Sequence, residues 1–177
     1  MYRLIVSSLL IILILTNNIN WFKWLLAFSF FTDLIDGTLA RHYKVNSIFG
    51  SKLDSIADDM TIVAAIIGLL KFKMTFIMDN YIIVSVLITL FLGQIIIALI
   101  RYHKISSFHT YLAKTAAIVL GIFLILVFFM KEPPYLLFYS AAVITIFDLV
   151  EEITLVFLLP EWKTNVKGIY WVLKNKL

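Results

Sequence analysis

Cysteine is absent from this 177-residue chain, which excludes disulfides and thiolate metal sites and leaves oxygen or imidazole as ligands for any bound metal. Charge is scarce as well. Only 15% of residues are Asp, Glu, Lys or Arg, and 62% are hydrophobic, with a mean hydropathy of +1.00. That balance lies outside the range of water-soluble domains. There is also no internal repeat, no low-complexity linker and no composition shift that would mark a second domain.

The apolar residues are gathered into blocks rather than spread as a periodic stripe. A helix needs roughly 20 residues to cross the hydrocarbon core. Six blocks approach or reach that length, near residues 2–16, 21–42, 47–70, 81–101, 109–130 and 135–159. The expected fold is therefore an all-α, polytopic integral membrane protein with six transmembrane helices. Residues 1–160 are expected to form a six-helix membrane domain, and 161–177 (EWKTNVKGIYWVLKNKL) a short, basic, aromatic tail at the interface. The first block is short and starts at Met1, so it tilts little, thins the bilayer, or continues sequence from a different start site. A cleaved signal peptide fits less well, because no small-x-small site precedes Asn17 and a second apolar block follows at once.

Basic residues set the orientation. With the N-terminus cytoplasmic, that side receives Arg3, Arg41, Lys44, Lys52, Arg101, Lys104, Lys114, Lys163, Lys167, Lys174 and Lys176. The other side receives only Lys23, Lys71, Lys73 and Lys131. This positive-inside asymmetry places both termini in the cytoplasm, although Lys52 and Lys114 sit inside helix starts and count for less. The formal charge of +4 is then a matter of anionic lipid, and nucleic acid is not implied.

Acids are few, with 11 in the chain, and four of them fall in the stretch 33–58 (DLIDGTLARHYKVNSIFGSKLDSIAD). Asp33 and Asp36 are spaced i,i+3, and Asp54 and Asp58 i,i+4, so each pair shares one face of its helix. A short polar turn around Tyr43–Ser47 makes the two helices antiparallel neighbours. The four carboxylates can then converge, roughly 10 to 16 Å into the helices from the cytoplasmic end. Four ionised carboxylates at that depth repel one another and lose hydration, so some are protonated or a cation neutralises them. An all-oxygen cage suits magnesium, manganese or calcium. Gly37, Ala40 and Gly50 stand on the same surface, either as close helix-packing contacts or as space for a bulky phosphate-bearing ligand.

The string Asp33-x2-Asp36-Gly37-x2-Ala40-Arg41-x8-Gly50-x3-Asp54-x3-Asp58 resembles the signature of the CDP-alcohol phosphotransferases (CDP-alcohol phosphatidyltransferases), membrane enzymes that build phospholipid head groups. The resemblance implies that a CDP-linked donor, usually CDP-diacylglycerol, gives its phosphatidyl group to an alcohol or sugar-phosphate acceptor and releases CMP. It implies two divalent cations, Mg2+ or Mn2+, bound by Asp33, Asp36, Asp54 and Asp58, with Asp58 also the catalytic base. It implies a nucleotide site at Asp33, Gly37, Ala40, Arg41 and Gly50, a homodimer, and a multi-pass location in the cytoplasmic membrane with the active site open to the cytoplasm. Arg41 has a second reading, as a positive-inside anchor at the helix end. Many relatives carry an amphipathic segment with a Pro-Asn pair and a Thr-rich turn ahead of the first span, followed by an arginine. Only Arg3 matches that arginine here.

A phosphorylated acceptor needs cations. Arg101 and Lys114 flank the segment RYHKISSFHTYLAK at the ends of the fourth and fifth blocks, either turned inward toward a phosphate or anchoring the membrane surface. Lys104 reads as a surface anchor, and His103 and His109 as interfacial residues rather than ligands. The sixth block carries Asp148, Glu151 and Glu152, deep enough to need a polar cavity or a cation. Glu152 or Glu151 is expected to orient Arg101, Lys114 or another cationic group around the acceptor pocket, or else to make a helix-to-helix hydrogen bond. Two other classes compete. An intramembrane prenyltransferase also binds a diphosphate through aspartates, but places its acidic motifs on well-separated helices. A cation transporter explains intramembrane acids, but not the intervals of Gly37, Ala40, Arg41 and Gly50.

Overall fold

In the computed structural model, the backbone is described at residues 2–43, 48–104, 108, 110–163 and 166–174, and side chains over the same residues except 2–4, 33–43 and 48–59. All regular structure among these residues is helical. The order is α1 (Tyr2–Leu15), α2 (Ile19–Tyr43), α3 (Ile48–Phe72), α4 (Met74–Asp79), α5 (Tyr81–Tyr102), α6 (Tyr111–Phe129), α7 (Tyr135–Leu158) and α8 (Ile169–Lys174).

Six of these coincide with the six apolar blocks, their ends differing by no more than two residues. By length and composition, α5 and α6 are apolar enough to cross a membrane, while Ile5–Leu15 and Met60–Phe72 are shorter apolar stretches. α7 is also long enough, at 24 residues. Any membrane-crossing length of it, however, includes Asp148, Glu151 and Glu152, and their cost in hydrocarbon sets this helix apart.

The chain divides into two compact units, residues 1–79 with 124–132 and residues 80–123 with 133–177. In the first unit, α1 lies against both α2 and α3, and these two also touch each other. Asn17 takes a left-handed backbone, φ 55°, in the tight connection between α1 and α2. Leu10, Ile14, Phe22, Leu26, Ala64 and Ala65 form buried positions here. Phe22 is enclosed by Phe72 and Phe128, with ring centroids 5.5 and 5.0 Å away. Its ring also fills the space over Gly68, where an added Cβ would come within 2.5 Å of Phe22 Cζ. Gly68 is thus what lets α2 and α3 approach at this level. Lys73 Nζ donates to the carbonyls of Met130 and Lys131, at 3.1 and 3.4 Å, which satisfies acceptors just beyond α6.

In the second unit α5 packs along α7, and α8 folds back onto α7. Asn80 Oδ1 accepts a hydrogen bond from Tyr139 Oη at 3.1 Å. α5 ends at His103, whose left-handed backbone (φ 53°) turns its N–H onto the Leu99 carbonyl. Thr110, fully buried, caps α6 by accepting from the Ala113 N–H at 3.0 Å. Much of α5 remains exposed and apolar, including Ile82, Ile96 and Ile100, which suits lipid contact.

Candidate active site

The first site begins with two helix faces. On α2, Phe22, Ser29, Asp33 and Asp36 recur at helical intervals; on α3, Asp54, Asp58, Thr61 and Gly68 do the same. Where side chains are described, the two faces meet in register. Phe22 sits over Gly68. One heptad step further along α2, Ser29 Oγ lies 3.5 Å from Thr61 Oγ1, a heptad step back along α3, and both hydroxyls are buried. Thr32 spends its hydroxyl on its own helix, donating to the carbonyls of Phe28 and Ser29.

Asp33, Asp36, Gly37, Ala40 and Arg41 lie on the helical backbone of α2, and Gly50, Asp54 and Asp58 on that of α3. Of the expected turn around Tyr43–Ser47, Tyr43 ends α2, while 44–47, Lys44 included, lie outside the described residues, as do the side chains of all eight motif positions. The donor set fits a divalent cation on chemical grounds. The sequence supplies four carboxylates, spaced i,i+3 on α2 and i,i+4 on α3, and these two helices touch through Ser29 and Thr61. Asp59 also lies on α3, one residue round from that face.

The second group of residues lies on α5, α6 and α7. Gln94, itself buried, donates through Nε2 to Glu152 Oε2 at 2.8 Å, tying α5 to α7. Glu151 Oε1 accepts from the backbone N–H of Ile169 at 3.1 Å, and its Oε2 is buried, as are Thr145 Oγ1 and Asp148 Oδ1, with no hydrogen-bond partner among the described residues. Arg101 donates to the carbonyls of Phe157 and Leu159, each at 3.4 Å, at the C-terminal end of α7. Lys114 Nζ lies 5.6 Å from the centre of the Tyr111 ring, and Lys104 Nζ 5.0 Å from that of Trp162. His109 lies outside the described residues, and His103 is exposed. The partners found for Glu152 and Glu151 are thus Gln94 and the tail backbone. The Gln94–Glu152 contact is a helix-to-helix hydrogen bond, the second of the two readings given for these acids, although neither partner was named from the sequence; Gln94, the one amide side chain in α5, carried a signal of its own.

The fold is all-helical and strongly apolar among the described residues, with paired aspartate positions on the backbones of two packed helices. The sequence model of one family, CDP-alcohol phosphatidyltransferase, matches residues 1–155. The chain belongs to this family. It is accordingly a membrane transferase of substituted phosphate groups within phospholipid biosynthesis, from a family that generally depends on divalent metal. No solved structure matches it.

Proposed function

We propose that this protein transfers a phosphatidyl, or other substituted phosphate, group from a CDP-alcohol to an alcohol acceptor, with CDP-diacylglycerol as donor and CMP as leaving group. The observation that carries the reading is the register of α2 against α3. Phe22 over Gly68 and Ser29 beside Thr61 are successive heptad steps of one antiparallel contact. Extended by one more heptad, the same register would set position 36 opposite position 54, with positions 33 and 58 at helical spacing beside them.

In this reading Asp33, Asp36, Asp54 and Asp58 hold two divalent cations, Mg2+ or Mn2+. Such cations neutralise charge on the donor diphosphate and on the departing CMP. Asp58 takes the proton of the acceptor hydroxyl. The acceptor oxygen forms a bond to the phosphorus that carries the lipid, and the bridging P–O bond breaks with its electrons passing to CMP. Gly37, Ala40 and Gly50 leave room for the nucleotide, and Asp33 and Arg41 contact it. Arg101, Lys114 and Glu152 serve the acceptor, a small alcohol or sugar phosphate.

The remaining architecture follows the same reading. Six spans with both termini cytoplasmic form the catalytic domain 1–160, followed by the tail 161–177, in the cell membrane, as a homodimer with its active site open to the cytoplasm. The basic residues support that orientation. The deciding experiment uses the purified protein in lipid with CDP-diacylglycerol, Mg2+ or Mn2+, and a panel of alcohols and sugar phosphates. Metal-dependent CMP release with one acceptor, lost in Asp58→Asn, is the expected result. Absence of both CMP release and metal-dependent cytidine nucleotide binding would remove the assignment.

A further inference from the structure

The family match ends at Leu155, yet the chain beyond it is built into the second unit. Val166, Ile169 and Val172 pack on the buried cluster of Ala98, Phe108, Leu155, Val156 and Leu159. Two backbone hydrogen bonds fasten this strap to the segment leading into α6: Val166 N–H to the Phe108 carbonyl at 2.8 Å, and Tyr111 N–H to the Lys167 carbonyl at 3.3 Å. The rings of Tyr111 and Trp171 lie 5.3 Å apart, and Lys114 stands over the same Tyr111 ring.

The strap turns at Gly168, which adopts φ +144°, a conformation that side chains with a Cβ rarely take. A Cβ there would also lie 3.0 Å from Glu151 Oε1. The same carboxylate oxygen accepts the Ile169 N–H immediately after the turn. One acid on α7, one glycine and two backbone bonds therefore hold residues 166–174 against the entrance of α6.

We propose that Glu151 is a positioning residue: it clamps the C-terminal strap to α7, and the strap, through Lys167 and Trp171, fixes Tyr111 and so sets Lys114 for an anionic, phosphate-bearing acceptor. This rests on the assignment of Lys114 to the acceptor in the proposed function. The clamp needs a hydrogen-bond acceptor at position 151 and not a charge. A Gln there keeps an oxygen for the Ile169 N–H. A carboxylate whose job was to orient a cation would lose its effect in the same substitution.

The test uses the full chain in lipid nanodiscs and three variants, Glu151→Ala, Glu151→Gln and Gly168→Ala. Hydrogen–deuterium exchange over 166–174 reads the clamp. CMP release against glycerol phosphate and inositol phosphate, at saturating CDP-diacylglycerol, reads the acceptor KM and kcat. The expected result is faster exchange of the strap in Glu151→Ala and Gly168→Ala, with the acceptor KM raised about fivefold, the scale of one hydrogen bond. The kcat and the affinity for cytidine nucleotide stay level, and Glu151→Gln tracks wild type on every reading.

Exchange that is unchanged in Glu151→Ala overturns the clamp. Faster exchange with an unchanged KM overturns the link to the acceptor, as does a Glu151→Gln variant as impaired as Glu151→Ala. If wild type releases CMP only with alcohols that carry no phosphate, the inference falls and the transferase reading stands. If wild type releases none with any acceptor, that reading falls first and takes the inference with it.

Discussion

Ser29 and Thr61 face each other across α2 and α3 with their hydroxyl oxygens 3.5 Å apart, on the two helix faces that carry the motif aspartates. Ser29 lies one helical turn from Asp33, and Thr61 one turn from Asp58. Small side chains at both positions let the backbones come close, which apolar packing within a bilayer rewards. A wedge here should act on the aspartates without touching them. Ser29→Leu is expected to lower metal-dependent CMP release at least tenfold and to raise the Mg2+ or Mn2+ concentration needed for half-maximal activity. Ser29→Ala should stay within about twofold, because the hydroxyl contact at this distance is a weak one. Equal metal requirements in Ser29→Leu and wild type would show that the two faces are not in the proposed register.

Gly68 gives a stability prediction for the same helix pair. Its added Cβ would come within 2.5 Å of a Phe22 ring that is fully buried and hemmed in by Phe72 and Phe128. Gly68→Ala should therefore cost about 1–3 kcal/mol through overpacking. Gly93 on α5 is the control, since a Cβ there meets nothing within 4 Å. Gly93→Ala should be neutral or stabilising by up to about 1 kcal/mol, from helix propensity alone. Thermal unfolding in lipid or detergent separates the two, and equal Tm values would refute the close approach of α2 and α3 at Phe22.

The hydrogen bond between Gln94 and Glu152, 2.8 Å long, joins α5 to α7 within the second unit. A double-mutant cycle of Gln94→Leu and Glu152→Leu should give a coupling of about 0.6 to 1.7 kcal/mol, the range such contacts reach in membrane proteins. Glu152→Gln preserves a partner for the amide and should retain most of the stability. If its acceptor KM nevertheless rises, the charge of Glu152 serves the acceptor in addition to the helix contact. An unchanged KM would assign Glu152 to packing alone.

Much of the helical arrangement is legible in the sequence. The six apolar blocks fall on helices because long, predominantly apolar runs leave the backbone no partner but itself. The aspartate motif was visible because acids are rare in the chain and four stand at helical spacing within α2 and α3. α4 was missed, since six residues between two longer helices carry too little periodicity to stand out. The attachment of the tail was not anticipated, for a different reason. Read alone, residues 161–177 are basic and aromatic, as an interfacial segment would be, whereas their attachment depends on Glu151, Phe108 and Tyr111, far away in sequence. Local pattern reports composition, and a contact between Glu151 and Ile169 leaves no trace in either segment.

Asp58 and Asp54 carry different proposed roles, base with ligand against ligand alone. A carboxylate acting as general base contributes about 10²- to 10⁴-fold to rate and little to ground-state binding. Asp58→Asn should therefore lower CMP release by that factor. Asp58 is proposed to belong to the metal set as well, so its loss should also weaken the metal, but less than the loss of Asp54, which is proposed as a ligand alone. Cytidine nucleotide binding, measured with Mg2+ or Mn2+ by calorimetry, should persist in Asp58→Asn and fail in Asp54→Asn. Chelation of the metal should abolish turnover in wild type, and its return should restore it. An Asp58→Asn enzyme that regains wild-type kcat at high metal concentration would make Asp58 a ligand only, and the proton of the acceptor hydroxyl would then have to leave through another group on the same two helix faces.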